Sequence, residues 1–267
     1  MADSSYFAAR HAALAERDRL SVLERELDPV TTRHLRPFVE TQNRPPRCLE
    51  VAAGGGSIAR WLAQMVGPRG HVVATDVDTQ FLDLLDNTAI EVRHHDIASD
   101  HLETLTYDVV HCRLLLVHMP DVQRIVQKLA DSVAPGGVLV LEEFEYATLQ
   151  VADAGHPLAA AVTRVNDALL ALTKAMGIDV FIGRHLPDLI EASGLVDVEH
   201  EATLRITRGS EQLTMAKATT AMIAPKLLSD GRVTEADVDD WFRALCDPTF
   251  RMIDYALVSA WGRRPVL

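Results

Sequence analysis

Three consecutive glycines, Gly54–Gly56, stand between a short, mainly apolar stretch and a helical pattern. Cys48–Val51 suits a short buried strand, whereas the apolar residues between Ile58 and Met65 recur at the spacing of one helix face. A ligand can lie against backbone without side chains, where the first N–H groups of the helix point at it. A tight turn alone needs only one or two glycines. We therefore predict that this glycine loop binds a ligand.

A carboxylate follows the glycines after about 20 residues, the spacing found in dinucleotide-binding folds. The stretch His71–Asp76 reads as a second strand that ends in Asp76. In a doubly wound sheet this position lies beside the glycine loop, where a carboxylate can bind the two hydroxyls of a ribose. The two features predict a nucleotide-like cofactor, and nicotinamide dinucleotides remain included at this point.

Four segments, taken in order, resemble the motifs of class I S-adenosylmethionine-dependent methyltransferases. Glu50–Gly56 resembles the first motif, an acid followed by G-x-G-x-G, with Ala52 in place of the first glycine. Glu91–Ile97 resembles the strand whose terminal Asp binds the adenine amino group. Tyr107–Arg113 resembles the fourth strand, and Leu129–Val140 resembles the Pro-Gly-Gly turn into the fifth.

This resemblance implies an α/β fold with a doubly wound, Rossmann-like sheet of seven strands, the last of them antiparallel. It also implies a helical N-terminal cap, helical insertions, and S-adenosyl-L-methionine as the cofactor. Glu16–Leu20 and Ala260–Pro265 look, more loosely, like actinobacterial small-molecule methyltransferases of natural-product type. The cofactor-binding residues carried over are Glu50 at the methionine end, then Ala52, Gly54, Gly56, Asp76, Val77, Asp96, Ile97 and Cys112.

Methyl transfer from a sulfonium is an in-line displacement on carbon, which needs alignment and sometimes a base but no metal. His118 follows the fourth strand, and Glu142 and Glu143 end the fifth, where one of the two acids should face the substrate. A neutral His or an acid of raised pKa could accept a proton from a hydroxyl or an amine. We name His118 and Glu143 as catalytic candidates, and no metal is expected. The alternative is that both are ordinary structural residues and that alignment alone suffices.

The charge of the chain disfavours a nucleic-acid substrate. Among 267 residues, 38 Asp and Glu outweigh 26 Lys and Arg, which gives a formal charge of −12 without any basic run. No apolar run approaches the ~18 residues of a membrane span, and the three isolated cysteines imply no disulfide. We therefore expect a cytoplasmic protein with a small-molecule substrate, away from membranes, and a homodimer is one option for its assembly.

The order of the predicted strands and helices indicates one methyltransferase domain over residues 1–267. Its parts are a helical cap (1–44), a cofactor-binding core (45–145) and two helical insertions that form the substrate pocket (146–180 and 210–250).

Three local patterns predict where elements begin and end. Asp28-Pro29 predicts the end of one cap helix and the start of the next. Thr234 and Asp237 have the spacing of a capping box at the start of a helix in the second insertion. Met252–Trp261 predicts a single last strand.

Two other functions stay open at the level of sequence. A nicotinamide-dependent oxidoreductase would need G-x-G-x-x-G, and Gly54–Ala59 lacks the third glycine, although alanine is tolerated there. A protein of the same fold that binds the cofactor without methylating, or as a regulator, would carry the same motifs. Formation of S-adenosylhomocysteine with an acceptor separates these functions. The acceptor atom (O, N, S or C) is not indicated.

Overall fold

The computed structural model describes residues 4–41, 44–83, 85, 89–210 and 214–266, with side chains described except at 4–15, 215 and 219. Residues 1–3, 42 and 43 of the predicted cap and 211–213 of the second insertion lie outside the described residues. The helices are α1 (Ser4–Glu40), α2 (Ser57–Val66), α3 (Val122–Ser132), α4 (Ala159–Ala175), α5 (Ile182–Ala192), α6 (Met215–Ser229) and α7 (Glu235–Ala244). The strands are β1 (Arg47–Val51), β2 (His71–Asp76), β3 (Ile90–His94), β4 (Tyr107–Arg113), β5 (Val133–Glu145), β6 (Gln150–Val151), β7 (Val196–Thr203), β8 (Ile206–Arg208), β9 (Arg251–Ile253) and β10 (Ala256–Arg263).

Seven strands form one sheet in the order β3-β2-β1-β4-β5-β10-β7. The β1–β2, β1–β4, β2–β3 and β4–β5 pairs are parallel, and the sheet is mostly parallel with one antiparallel strand. The middle of β2, Val72–Ala74, is fully buried, as expected for a parallel strand with both faces covered. The predicted fold class is confirmed.

The chain divides into two compact units. The first comprises Met1–Glu142, Pro187–His200 and Ser259–Leu267, and the second comprises Glu143–Leu186 and Glu201–Val258. The first unit holds the glycine loop and the strands around it. Both predicted insertions fall in the second unit, where α4, α6 and α7 share an apolar core around the buried Trp241, whose indole N–H donates to Asn166 at 3.0 Å.

The prediction of two cap helices separated at Asp28-Pro29 is wrong. One helix, α1, runs from Ser4 to Glu40 with Pro29 inside it. A proline in a helix interior costs roughly 3 kcal/mol because it removes a donor and crowds the preceding turn. Leu27, Thr31 and Leu35, spaced by four residues, are all buried, and this packing keeps the helix continuous.

The single last strand predicted over Met252–Trp261 is also wrong. It divides into β9 and β10, which belong to different sheets, since β9 pairs with β6 and β8 in a separate three-stranded sheet. The short strand β6 was not predicted either, because a two-residue strand carries no recognisable periodicity. By contrast, the capping box is confirmed, since Thr234 and Asp237 bond reciprocally at the start of α7.

Candidate functional site

The glycine loop joins β1 to α2 and requires an unusual backbone. Ala52, Gly54 and Gly56 all have positive φ values, of 56°, 53° and 77°. Glycine adopts this region freely, whereas an L-residue such as Ala52 is strained in it. Two backbone hydrogen bonds fix the loop. Ala53 N–H donates to Thr75 O of β2 at 3.0 Å, and Gly56 N–H donates to Ala53 O within the loop at 2.8 Å.

Asp76 ends β2 and fixes the loop through its carboxylate. Its Oδ2 accepts a hydrogen bond from Gly54 N–H at 2.9 Å, and its Oδ1 accepts one from Asp78 N–H at 3.0 Å. Each carboxylate oxygen retains a further acceptor position, so the side chain is oriented yet still able to bind hydroxyl groups. The next residue, Val77, is exposed at the same edge of the sheet.

Asp96 lies two residues beyond the end of β3, in the turn that follows it. Its carboxylate accepts hydrogen bonds from Ala98 N–H at 2.8 Å and from the Ser99 hydroxyl at 3.1 Å, which fixes it within its own turn. The neighbouring Ile97 is buried, and its carbonyl accepts a hydrogen bond from Lys128 Nζ at 2.7 Å. Asp96 therefore presents acceptor oxygens, as the adenine amino group requires, from an ordered turn.

Helix α1 covers the glycine loop with two side chains one turn apart, Leu20 and Glu24. A Cβ atom placed on Gly54 would lie 3.1 Å from Leu20 Cδ2, and one on Gly55 would lie 2.3 Å from Glu24 Oε1. Only glycine at position 55 admits this carboxylate against the backbone. Sequence analysis did not identify Glu24 as a site residue.

Beneath the loop, Glu50 on β1 is buried and its carboxylate is engaged. Its Oε2 atom lies 2.6 Å from Nδ1 of His111, the facing residue of β4. On the other side, His111 Nε2 lies 3.5 Å from Glu142 Oε2, so one fully buried imidazole stands between two carboxylates. We call these three residues the buried ionic cluster.

Helix α1 supplies further partners to the buried ionic cluster. Thr31 donates its hydroxyl to Glu142 Oε2, and His34 Nδ1 lies 3.5 Å from Glu142 Oε1. Ser259 on β10 donates to Glu142 Oε1 at 2.6 Å. Arg113, at the end of β4, donates to Thr31 Oγ1 at 2.8 Å, and it also reaches Asp28 Oδ1 at 2.9 Å.

The cluster shifts the pKa values of its members in opposite directions. Burial disfavours protonation of His111, but the facing Glu50 and Glu142 carboxylates outweigh it and raise the pKa of His111 to about 9. Burial likewise opposes ionisation of Glu142, yet His111 and His34, each with a ring nitrogen 3.5 Å from its carboxylate, hold the pKa of Glu142 well below its usual range. At neutral pH the structure therefore favours an imidazolium between two carboxylates.

Two other predicted residues lie on or just after β4. Cys112 is buried near the end of the strand, between Val51 of β1 and Leu141 of β5. His118 ends a short 3-10 turn, Leu116–His118, and its side chain is exposed. Desolvation and the nearby Arg19 lower the pKa of His118, which keeps its imidazole neutral at pH 7 and able to accept a proton.

The adjacent acids of β5 point to opposite faces of the sheet, as successive strand residues do. Glu142 belongs to the buried ionic cluster. Glu143 belongs to the second unit, where it is buried. Burial and the nearby Glu143 raise the pKa of Tyr146, whose ring lies 6.0 Å from Phe144 and 5.2 Å from Tyr255, centroid to centroid. Glu143 therefore lies near Tyr146 within its unit.

The described residues contain neither a cluster of metal ligands nor a helix able to cross a membrane. Within that part of the chain, no group of three or more His, Cys, Asp or Glu side chains is arranged to hold a metal ion. None of the described helices is long and apolar enough to span a membrane.

The strand order, the glycine loop after β1 and the carboxylate that ends β2 together define a Rossmann-like methyltransferase fold. A family model described as a methyltransferase domain matches residues 21–200, more than half of the chain. The chain therefore belongs to this methyltransferase family, as the four motifs predicted.

Relatives of known annotation match part of the chain. It is 29% identical over 150 residues to the methyltransferase str2 of Strobilurus tenacellus, covering 56% of this chain and 53% of that protein. It is 35% identical over 117 residues to a ubiquinone biosynthesis O-methyltransferase of Hydrogenovibrio crunogenus, covering 42% and 47% respectively. The chain thus spans about half of the length of these relatives.

Solved structures resemble the chain over most of its length. Haemonchus contortus phosphoethanolamine N-methyltransferase 2, in complex with phosphomonomethylethanolamine and S-adenosylhomocysteine, matches 93% of this chain and 52% of its own, with a TM-score of 0.52 and 13% identity. The YcgJ protein of Bacillus subtilis matches 86% and 97%, with a TM-score of 0.51 and 13% identity. At these identities the likeness shows the fold alone.

Proposed function

We propose that this chain transfers the methyl group of S-adenosyl-L-methionine to a small-molecule acceptor. The observation that carries the proposal is the glycine loop, clamped by Asp76 through Gly54 N–H, at the sheet edge of a methyltransferase-family fold. When bound, S-adenosylmethionine supplies a methyl group on a positively charged sulfur. The residues present fit this cofactor, because acidic acceptors stand at or just after the ends of β2 and β3, and the bare backbone of the glycine loop follows β1, the other neighbour of β2.

The chain's own residues divide the binding task by position. Asp76 accepts hydrogen bonds from the ribose hydroxyls, and Val77 lies beside it. Asp96, together with the backbone of Ile97, binds the adenine amino group. Glu50 contacts the methionine end of the cofactor. Its carboxylate is oriented by His111 Nδ1, which lies 2.6 Å from Glu50 Oε2. Further residues complete the cofactor site: Ala52, Gly54 and Gly56 through the loop backbone, and Cys112 through the backbone at the end of β4.

For proton removal from the acceptor, His118 and Glu143 are the proposed candidates. His118 is neutral at pH 7 because its pKa is lowered, which suits it to accept a proton. Glu143 is buried, and it lies near enough to Tyr146 to raise the pKa of that phenol. Alignment of acceptor and methyl group can by itself contribute several kcal/mol, so a base is an addition to proximity and not a requirement.

The acceptor is proposed to be a small molecule and not a nucleic acid, given the net charge of −12. A hydroxyl acceptor is the first to test, because the matched H. crunogenus relative is an O-methyltransferase. The finer features proposed from the resemblance are an actinobacterial natural-product type of substrate, a role in secondary metabolism, a cytoplasmic location and a homodimer.

The experiment is a panel of small phenols, amines and thiols incubated with the protein and methyl-labelled S-adenosylmethionine. The expected result is equimolar appearance of S-adenosylhomocysteine and one labelled acceptor. Binding of S-adenosylmethionine without turnover across the panel would favour the cofactor-binding alternative. Quenching or enhancement of nicotinamide fluorescence on mixing with NADH, without S-adenosylmethionine binding, would favour an oxidoreductase.

A further inference from the structure

The carboxylate of Glu24 rests directly on the glycine loop. A Cβ atom added to Gly55 would lie only 2.3 Å from Glu24 Oε1. The carboxylate therefore lies in the space that a side chain at position 55 would occupy. The backbone N–H of Ser57, the first residue of α2, acts on the same carboxylate and favours its ionised form. Gly56, the N-cap residue of α2, makes no side-chain cap hydrogen bond, because glycine has no side chain. A distant helix thus supplies the acid that the loop itself lacks.

Charges of both signs surround Glu24. Burial and the neighbouring Asp28 raise the pKa of Glu24, whereas Arg60, Arg113 and the Ser57 N–H act against them. Arg113 is also bonded to Asp28 at 2.9 Å, and Arg60 reaches the Gly55 carbonyl at 3.3 Å. Without a nearby cation, ionisation of Glu24 is therefore costly. A cation bound at the loop would favour the ionised carboxylate.

Glu50, the acid of the sequence motif, is differently placed. It is only 3% exposed, and its carboxylate faces a histidine of raised pKa at 2.6 Å. Its charge is therefore compensated within the protein. Glu24 is half-buried and lies against the loop backbone itself.

From this geometry we propose that Glu24 binds the α-ammonium group of the cofactor's amino-acid portion, as a second acid alongside Glu50. The inference rests on the proposed function, since it concerns the same cofactor. An ammonium donates charge-assisted hydrogen bonds to a carboxylate, which are about twice as strong as neutral ones.

Isothermal titration with three ligands tests this assignment. S-adenosylmethionine has the ammonium and the sulfonium, S-adenosylhomocysteine has only the ammonium, and 5′-methylthioadenosine has neither. Glu24→Gln keeps the size and shape of the side chain and removes its charge. We expect the first two ligands to bind about 10-fold more weakly or worse, and methylthioadenosine within about twofold of wild type.

Glu40→Gln is the matched control, because Glu40 is an exposed acid on the same helix, paired with Arg36. It should leave all three affinities unchanged, and both variants should melt at the wild-type temperature. Equal weakening of all three ligands by Glu24→Gln, or a lowered Tm, would reduce Glu24 to a structural residue that packs α1 against the loop. Weakening of S-adenosylmethionine alone would assign it to the sulfonium, and no weakening would overturn the inference. Failure of the wild-type protein to bind either adenosyl amino acid would instead refute the proposed function.

Discussion

Asp76 has two tasks, because the carboxylate proposed to bind ribose also holds the glycine loop through Gly54 N–H. A side chain fixed by backbone donors before the ligand arrives loses little freedom on binding. The same arrangement means that removing Asp76 disturbs both the ligand contacts and the loop that supports them.

We expect Asp76→Ala to weaken S-adenosylmethionine binding by at least ~1.5 kcal/mol, because charge-assisted hydrogen bonds to the ribose are lost. Asp96→Ala should cost less, since one bond to the adenine is lost. Asp78→Ala is the control, because Asp78 contributes its backbone N–H to Asp76 and its side chain bonds only to the exposed Gln80. Calorimetry that shows full affinity for a folded Asp76→Ala protein would move the ribose site elsewhere.

The two base candidates are separable by substitution. We expect unequal losses for His118→Gln and Glu143→Gln, with at least one lowering kcat by ~100-fold or more while cofactor affinity stays within about twofold. If His118 is the base, kcat falls as the pH drops below 6.5 through its lowered pKa, because the imidazole becomes protonated. Retention of most turnover by both variants would mean that the enzyme works by alignment and desolvation.

At the scale of elements, helix α1 decides how much of the site the sequence could predict. Asp76 was predictable, because the end of a strand and the following loop are set by local spacing. Glu24 and the cluster partners Thr31 and His34 were not, because they become site residues only through the face that α1 presents to the sheet. Their signal was polar residues interrupting the apolar stripe of α1. For His111 the matching signal was a histidine between the apolar Val110 and Cys112 of β4.

The continuity of α1 through Pro29 has a measurable consequence. Pro29→Ala should raise the free energy of unfolding by ~1–3 kcal/mol, because an exposed interior position regains a backbone donor and loses a steric clash. Pro68→Ala, in the turn after α2, removes the same rigidity from the unfolded chain and should not raise the free energy of unfolding. Urea unfolding of both variants checks this. A neutral or destabilising Pro29→Ala would restore the two-helix interpretation, with proline at a favourable first helical position.

At the scale of the whole molecule, the chain joins a sheet-based unit that carries the cofactor motifs to a unit formed around Trp241. The boundary falls between Glu142 and Glu143, within a single strand. In the sequence, the alternation of predicted strands and helices ends near this point. Both insertions were nevertheless predicted to belong to one domain. It could not show that residues 201–258 form a compact unit with 143–186, since that grouping depends on contacts distant in sequence.

The buried ionic cluster should make stability depend on pH. The pKa of His111 is raised from 6.5 to about 9, so its contribution is complete below pH 6.5 and is lost as the pH rises through 9. The loss should be on the order of 3 kcal/mol in the free energy of unfolding. Glu142 acts in the opposite sense, since its lowered pKa gives stability above its ordinary pKa that disappears in acid.

Unfolding by urea at pH 6.5, 8 and 9.5 measures this dependence, and NMR of the histidine ring carbons, assigned with His111→Gln, identifies the titrating residue. A His111 resonance that titrates near 6.5 would contradict the charged cluster. Flat stability between pH 6.5 and 9.5 would do the same.

The cluster also bears on the order in which the chain can acquire its structure. Glu142 receives hydrogen bonds from Thr31, 111 positions before it, and from Ser259, 117 positions after it. Contacts of such long range form late, because much chain entropy is lost in closing them. On a ribosome, the glycine loop and β2 emerge early, but Glu142 lacks one donor until Ser259 has been synthesised. The set of hydrogen bonds that joins α1, β5 and β10 at Glu142 is therefore completed only after translation of β10.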